Sequence, residues 1–164
     1  MIETLLNKPY WVIDILPEQI PEASAGQYFA IEQYFLQQPG IADIHHRFTD
    51  ILLKLNCYSD FLVCFPDQEQ QIRNPAPEKL ASWINEKQKD LCIVLAGEDV
   101  LITLNHDDTY MTVYNPSEAL RNRIGSLAMA HGLFLWQPKQ ENGGGKLRGG
   151  NSSGNAGDQV AGGG

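Results

Sequence analysis

Residues 91–136 constrain the fold of this chain more than any other stretch, because their punctuation spells three strands, a helix and a returning strand. Residues 93–96 and 100–104 are short apolar or β-branched runs separated by Gly97-Glu98-Asp99, and residues 105–108 then turn the chain into residues 109–114. This reads as a three-stranded meander. Asn115 is the expected cap of the next helix, since its side-chain oxygen can accept from an orphan N–H there. Pro116 has a φ suited to the first helical position, and Glu118 is favourable in the first turn. The helix is expected to stop at Gly132, after which Leu133-Phe134-Leu135-Trp136 returns to the sheet. This grammar specifies an α+β class and carries no chemistry.

The preceding residues extend the same pattern. Residues 10–16 form a strand candidate ended by Pro17, and residues 21–26 form a loop. A helix is expected from near Ala25 to Pro39-Gly40. Its Tyr28, Phe29, Tyr34 and Phe35, with Ile31 and Leu36, are more than one buried stripe needs, so these aromatics are the candidate contact with another helix or another protein. In the next helix Ile41, Ile44, Phe48, Ile51, Leu52 and Leu55 fall within one arc of about 100°, opposite Asp43, Arg47, Asp50 and Lys54. The charged residues form two i,i+4 pairs on a face expected to be solvated. Residues 58–65 read as a strand, residues 67–71 as a polar loop, and Asn74-Pro75-Ala76-Pro77-Glu78 as the opening of a short helix that buries Leu80, Trp83 and Ile84. The expected architecture is a single domain over residues 1–138, with a mostly antiparallel sheet of about six strands and helices packed on one face.

At 164 residues, 43% hydrophobic and 20% charged, the chain is long enough for one domain with a real core. No run approaches the roughly 18–20 apolar residues that cross a bilayer, and the first residues lack a signal-peptide pattern, so the expectation is a cytoplasmic protein that does not engage membranes. Cys57, Cys64 and Cys92 form no CxxC pair and are odd in number, which argues for packing thiols over a disulfide framework or a zinc knuckle. Ten of the 15 glycines lie in residues 139–164, among Asn, Ser and Gln with almost no large apolar group; this tail is expected to be disordered. The tail holds Lys139, Lys146 and Arg148 against Glu141 and Asp158, a local +1, so a net charge of −8 for the chain leaves −9 on residues 1–138. That field repels phosphate backbones and excludes nucleic acid as an expected partner, while remaining compatible with a basic protein partner.

Each cluster with chemical potential has a structural explanation beside the functional one. His45 and His46 are helical neighbours about 100° apart and cannot readily share one ion; His46 with Asp50, at i,i+4, supplies two metal ligands and no visible third. Asn105-His106-Asp107-Asp108 is ordinary turn chemistry. Glu98 and Asp99 cannot join Asp107 and Asp108 in one site, because successive meander turns lie roughly 17 Å apart at opposite strand ends. His131, one residue before Gly132, is placed to pack or to satisfy the last carbonyls of its helix, and is also the best lone general-base candidate. Tyr110, Thr112 and Tyr114 alternate along a strand. No P-loop, GxGxxG or HExxH string occurs, and no cofactor is expected.

Taken together, Tyr10-Trp11-Val12-Ile13-Asp14, residues 52–58 (LLKLNCY), residues 108–118 (DTYMTVYNPSE) and Gly132-Leu133-Phe134-Leu135-Trp136 resemble a family of small uncharacterised bacterial proteins. The likeness spans most of residues 8–138 and implies no substrate, cofactor or catalytic residue. The leading expectation is therefore a non-catalytic protein-interaction domain, one specific form being an antitoxin- or immunity-type protein that masks a basic enzyme. Self-association into a homo-oligomer through the aromatic helix is a further expectation. The alternative is a small enzyme or ligand-binding domain using His131, Asp14 or the strand bearing Tyr110 and Tyr114 around a pocket.

Overall fold

The structure, a computed structural model, describes residues 1–21, 25–86 and 89–139. In chain order its elements are α1 (Ile2–Leu5), β1 (Tyr10–Asp14), α2 (Ala25–Leu36), α3 (Gly40–Asn56), β2 (Phe61–Cys64), β3 (Gln71–Arg73), α4 (Pro77–Asn85), β4 (Leu91–Leu95), β5 (Val100–Leu104), β6 (Tyr110–Tyr114), α5 (Glu118–Ala130) and β7 (Phe134–Trp136). Apart from Lys139, the glycine-rich tail lies outside the described residues. Among those residues no helix is long and apolar enough to cross a membrane.

Alternation along the strands sorts their side chains to two faces. The register sets Val63 opposite Ile93, Ile93 opposite Ile102, Ile102 opposite Val113, and Met111 opposite Ile13. This row meets the apolar stripe of α3, where Ile44, Phe48, Ile51, Leu52 and Leu55 are all buried, together with Leu80, Trp83 and Ile84 of α4 and Leu120 and Ile124 of α5. Burying each such side chain contributes about 1.5–3 kcal/mol before ordering costs. This is the larger of two buried clusters, with the four longer helices on one side of the sheet.

The sheet is antiparallel throughout, with seven strands in the order β3-β2-β4-β5-β6-β1-β7. β1, first in the chain, sits between β6 and β7, so its Tyr10-to-Asp14 run is closed on both sides only when the C-terminal half of the domain has arrived. β3 occupies a stretch that begins at the end of the expected polar loop. Its three residues form an edge hairpin with β2, pinned by Asn74, whose Oδ1 accepts from the Phe61 N–H at 2.8 Å and whose amide donates to Asp60 at 2.9 Å. Asn74 therefore holds the β2–β3 hairpin, and α4 begins at Pro77 instead. The short α1, which the sequence pattern did not reveal, lays Ile2 and Leu5 on Val94 and Leu101 of the opposite sheet face.

α5 starts two residues later than expected. Ser117 is its cap, with the hydroxyl accepting from the Leu120 N–H at 3.2 Å. Asn115 has φ +61°, which no N-cap adopts, and donates its amide to the Asp99 carbonyl at 3.0 Å. The far end stops where expected. Gly132 takes φ +71°, Leu133 N–H reaches the Ala128 carbonyl at 2.8 Å, and Gly132 N–H reaches Met129 at 3.2 Å, the paired bonds of a Schellman ending.

Candidate functional site

An open concavity lies between α5 and β7. Glu118, Arg121, Asn122, Gly125 and Met129 recur at helical spacing and so form one stripe of α5 facing β7; Trp11, Leu135 and Trp136 complete an open cleft of about 590 Å³. Among the described residues β1 is the only strand paired with β7.

Two residues define its character. The Arg121 guanidinium lies over the Trp11 ring, 4.8 Å from the centroid, and its Nε is buried without a hydrogen-bond partner. Stacking on indole fixes the cation by attraction to the ring face without neutralising it. Gly125, midway along α5, leaves the wall open: a Cβ built there would meet only Leu135 Cδ2, at 3.9 Å. Met129 is 71% exposed beside it.

A second polar concentration lies where the β5–β6 turn meets α2 and α3. Asp108 is 5% exposed and accepts from Asn105 Nδ2 at 2.8 Å. Burial pushes its carboxyl up to about 6, against the lowering effect of the Asn105 hydrogen bond; the charges of Asp107, Glu32 and Asp90 push the same way as burial. His45 is 4% exposed, with Nε2 unpartnered. Desolvation, and then the charge of His106, lowers its affinity for a proton; the His106 backbone opposes this and His46 adds to it. The Asp90 carboxylate accepts from the His106 backbone N–H at 2.9 Å and lies 2.7 Å from His106 Nδ1. Asp90, His106 and Asp107 bring ligand atoms within 4.8 Å of one another, the only such group of three among the described residues. These groups can exchange protons and attract cations, and the Asp90–His106 pair already accounts for their proximity.

The sequence candidates are dispersed. His131 is the C-cap residue of α5, and its ring rests on the charged side of α3, with Nε2 2.9 Å from Lys54 Nζ and Nδ1 3.8 Å from Asp50. Asp50 and Lys54 therefore both turn to His131 where an i,i+4 pair was expected, whereas Asp43 and Arg47 do pair, at 2.9 Å. The α5 C-terminus thus covers part of the face read as solvated. His46 is exposed, and neither it nor Asp50 belongs to the three-ligand group. Asp14 is 2% exposed and accepts from the Ile15 N–H at 2.8 Å; its register partner is Tyr110. Asp14, Tyr110 and Tyr114 share the sheet face of α1, so the sheet separates them from His131.

On α2, Phe29 and Tyr34 are 58% and 71% exposed, Phe35 packs against the core, and the half-buried Tyr28 donates to Glu32 at 2.5 Å. Cys64 and Cys92 face each other across β2 and β4 as free thiols, while Cys57 is exposed, contrary to its expected packing role. Sequence reasoning did not single out Arg121, Gly125 or Asp90. A glycine inside an otherwise regular helix was the one visible signal. No protein-family profile, curated protein or solved structure matches the chain.

Proposed function

We propose that this chain is a non-catalytic protein-interaction domain that presents α2 to a basic partner protein. The observation that carries this reading is the exposure of Phe29 and Tyr34 on a helix whose Phe35 packs against the core. Aromatic rings held in water by a folded helix are the kind of group that protein interfaces bury, because they bring large area at low entropic cost. Charge supplies the sign of the partner. The chain carries −8, and α2 itself bears Glu32, whose charge adds to the effects that raise the Asp108 carboxyl. An antitoxin- or immunity-type protein covering a basic enzyme is the specific form favoured within this class, and membership of the small bacterial family belongs to the same proposal.

Affinity purification of the tagged full chain from its native cell tests the reading. A basic protein should co-elute with the wild type at low salt and be lost from the Phe29→Ser/Tyr34→Ser variant, whose urea midpoint should stay unchanged. Recovery of no partner at low salt, or equal recovery by the variant, refutes it. Sedimentation of the purified chain separates self-association from capture of a different protein.

A further inference from the structure

We infer that the cleft beside α5 binds a small monocarboxylate with an apolar body, its carboxylate set on the Arg121 guanidinium and its body lying along α5 past Gly125 to Met129. This stands independently of α2. Among the described residues that line the cleft, Arg121 is the one cation and Glu118 the one anion.

Arg121 fixes the charge of the ligand. In a chain of net −8 it makes no ion pair among the described residues, and its Nε is buried without a partner. Attraction to the Trp11 ring holds the guanidinium in place without cancelling its charge, so its planar fork meets a planar carboxylate with little further ordering. Glu118 lines the cleft three residues earlier without pairing to it. That carboxylate and the net charge of the chain both oppose a second anionic group, which favours a monocarboxylate over a dicarboxylate or a phosphate ester.

Gly125 fixes the place of the apolar body. Glycine inside a helix is unfavourable relative to alanine because it loses more backbone freedom on folding. An added Cβ would find only Leu135 Cδ2, at 3.9 Å, so the fold leaves room for a side chain that the sequence withholds. Apolar atoms entering there would cover Leu135 on one side and reach Met129, which is 71% exposed, on the other.

The dimensions limit the size of the ligand. Arg121, Gly125 and Met129 stand four residues apart on one stripe of α5, so the three together span about 12 Å. A cleft of about 590 Å³ lies within the range of small-molecule sites, in which apolar walls surround a few polar groups. A medium-chain fatty acid and an arylalkanoic acid share this chemistry.

Isothermal titration of the full chain with octanoate and with hydrocinnamate tests this, with octanol, acetate and octanedioate as controls. At least one of the two monocarboxylates should bind about tenfold or more tightly than every control, because a charge-assisted pair and the apolar body must act together. Amide NMR shifts should concentrate in residues 121–129, and binding should weaken by about tenfold in both Arg121→Gln and Gly125→Leu. The Phe29→Ser/Tyr34→Ser chain should bind as the wild type does, which keeps this result separate from the fate of the α2 reading. Binding of neither monocarboxylate, equal binding of octanol or octanedioate, or binding that stays within twofold in Gly125→Leu overturns the inference. Should Arg121→Gln or Gly125→Leu fail to fold, Arg121→Lys or Gly125→Met takes its place, with weakened binding again expected.

Discussion

Replacing Gly125 with alanine should make the domain more stable by about 1 kcal/mol. Alanine is favoured over glycine in a helix interior by about 0.8–1.0 kcal/mol, chiefly because the unfolded chain has fewer conformations to lose. The new methyl group would meet Leu135 Cδ2 at 3.9 Å, so it adds contact without overlap. Because it enters an open cleft, only a few tenths of a kcal/mol of further burial is expected. Urea unfolding followed by far-UV circular dichroism should show a higher midpoint at unchanged slope, and thermal unfolding a rise of about 3–4 °C. A decrease in stability would mean that the fold itself demands glycine there. The case for an occupant of the cleft would then lose its second support.

Three further outcomes follow from local chemistry. Ser117→Ala should cost about 1 kcal/mol, because the hydroxyl that accepts from Leu120 N–H is the side-chain cap of α5; an unchanged urea midpoint would refute that role. Asp108 holds its proton to about pH 6 when folded and to 3.8 when unfolded, so its contribution is complete below 3.8 and is lost as pH rises through 6. Asp108→Asn should therefore raise stability by up to about 3 kcal/mol at pH 7.5 and by nothing at pH 3.5, and an equal effect at both would refute the assignment. Burial pushes the Cys64 and Cys92 thiols up, whereas Cys57 is exposed; Ellman's reagent should titrate one thiol quickly and the other two only on unfolding.

The parts of the fold that were legible in the sequence are those whose periodicity reports burial directly. The α3 stripe has the helical period, and each of its six residues is buried; β4, β5 and β6 fall where apolar runs meet turn residues. β3 escaped because an edge strand needs no buried face, and Gln71-Ile72-Arg73 offers one apolar side chain. α1 escaped because four residues carry no period, and what holds them is a contact with Val94 and Leu101 some ninety residues away. At the α5 start both Asn115 and Ser117 are good caps by type. The choice was made by the turn after β6, which throws Asn115 into the left-handed region and ties it to Asp99. The cleft escaped for a topological reason. Trp11 meets Arg121 only because β1 is inserted between β6 and β7, a pairing that local pattern does not encode.

That topology also separates two surfaces of opposite electrical demand, which gives a single experiment power over both readings. Glu32 belongs to the acid concentration felt by Asp108, while Arg121 sits without an ion pair among the described residues beside β7. A basic partner on α2 should weaken with Glu32→Gln, and a carboxylate ligand in the cleft should weaken with Arg121→Gln. Each variant should leave the other interaction within about twofold, because α2 contributes no residue to the lining of the cleft. Raising the salt should weaken both, as favourable encounter between opposite charges requires. If Glu32→Gln instead strengthened cleft binding severalfold at 0.1 M salt, the two surfaces would share one field, and their treatment as independent sites would fail.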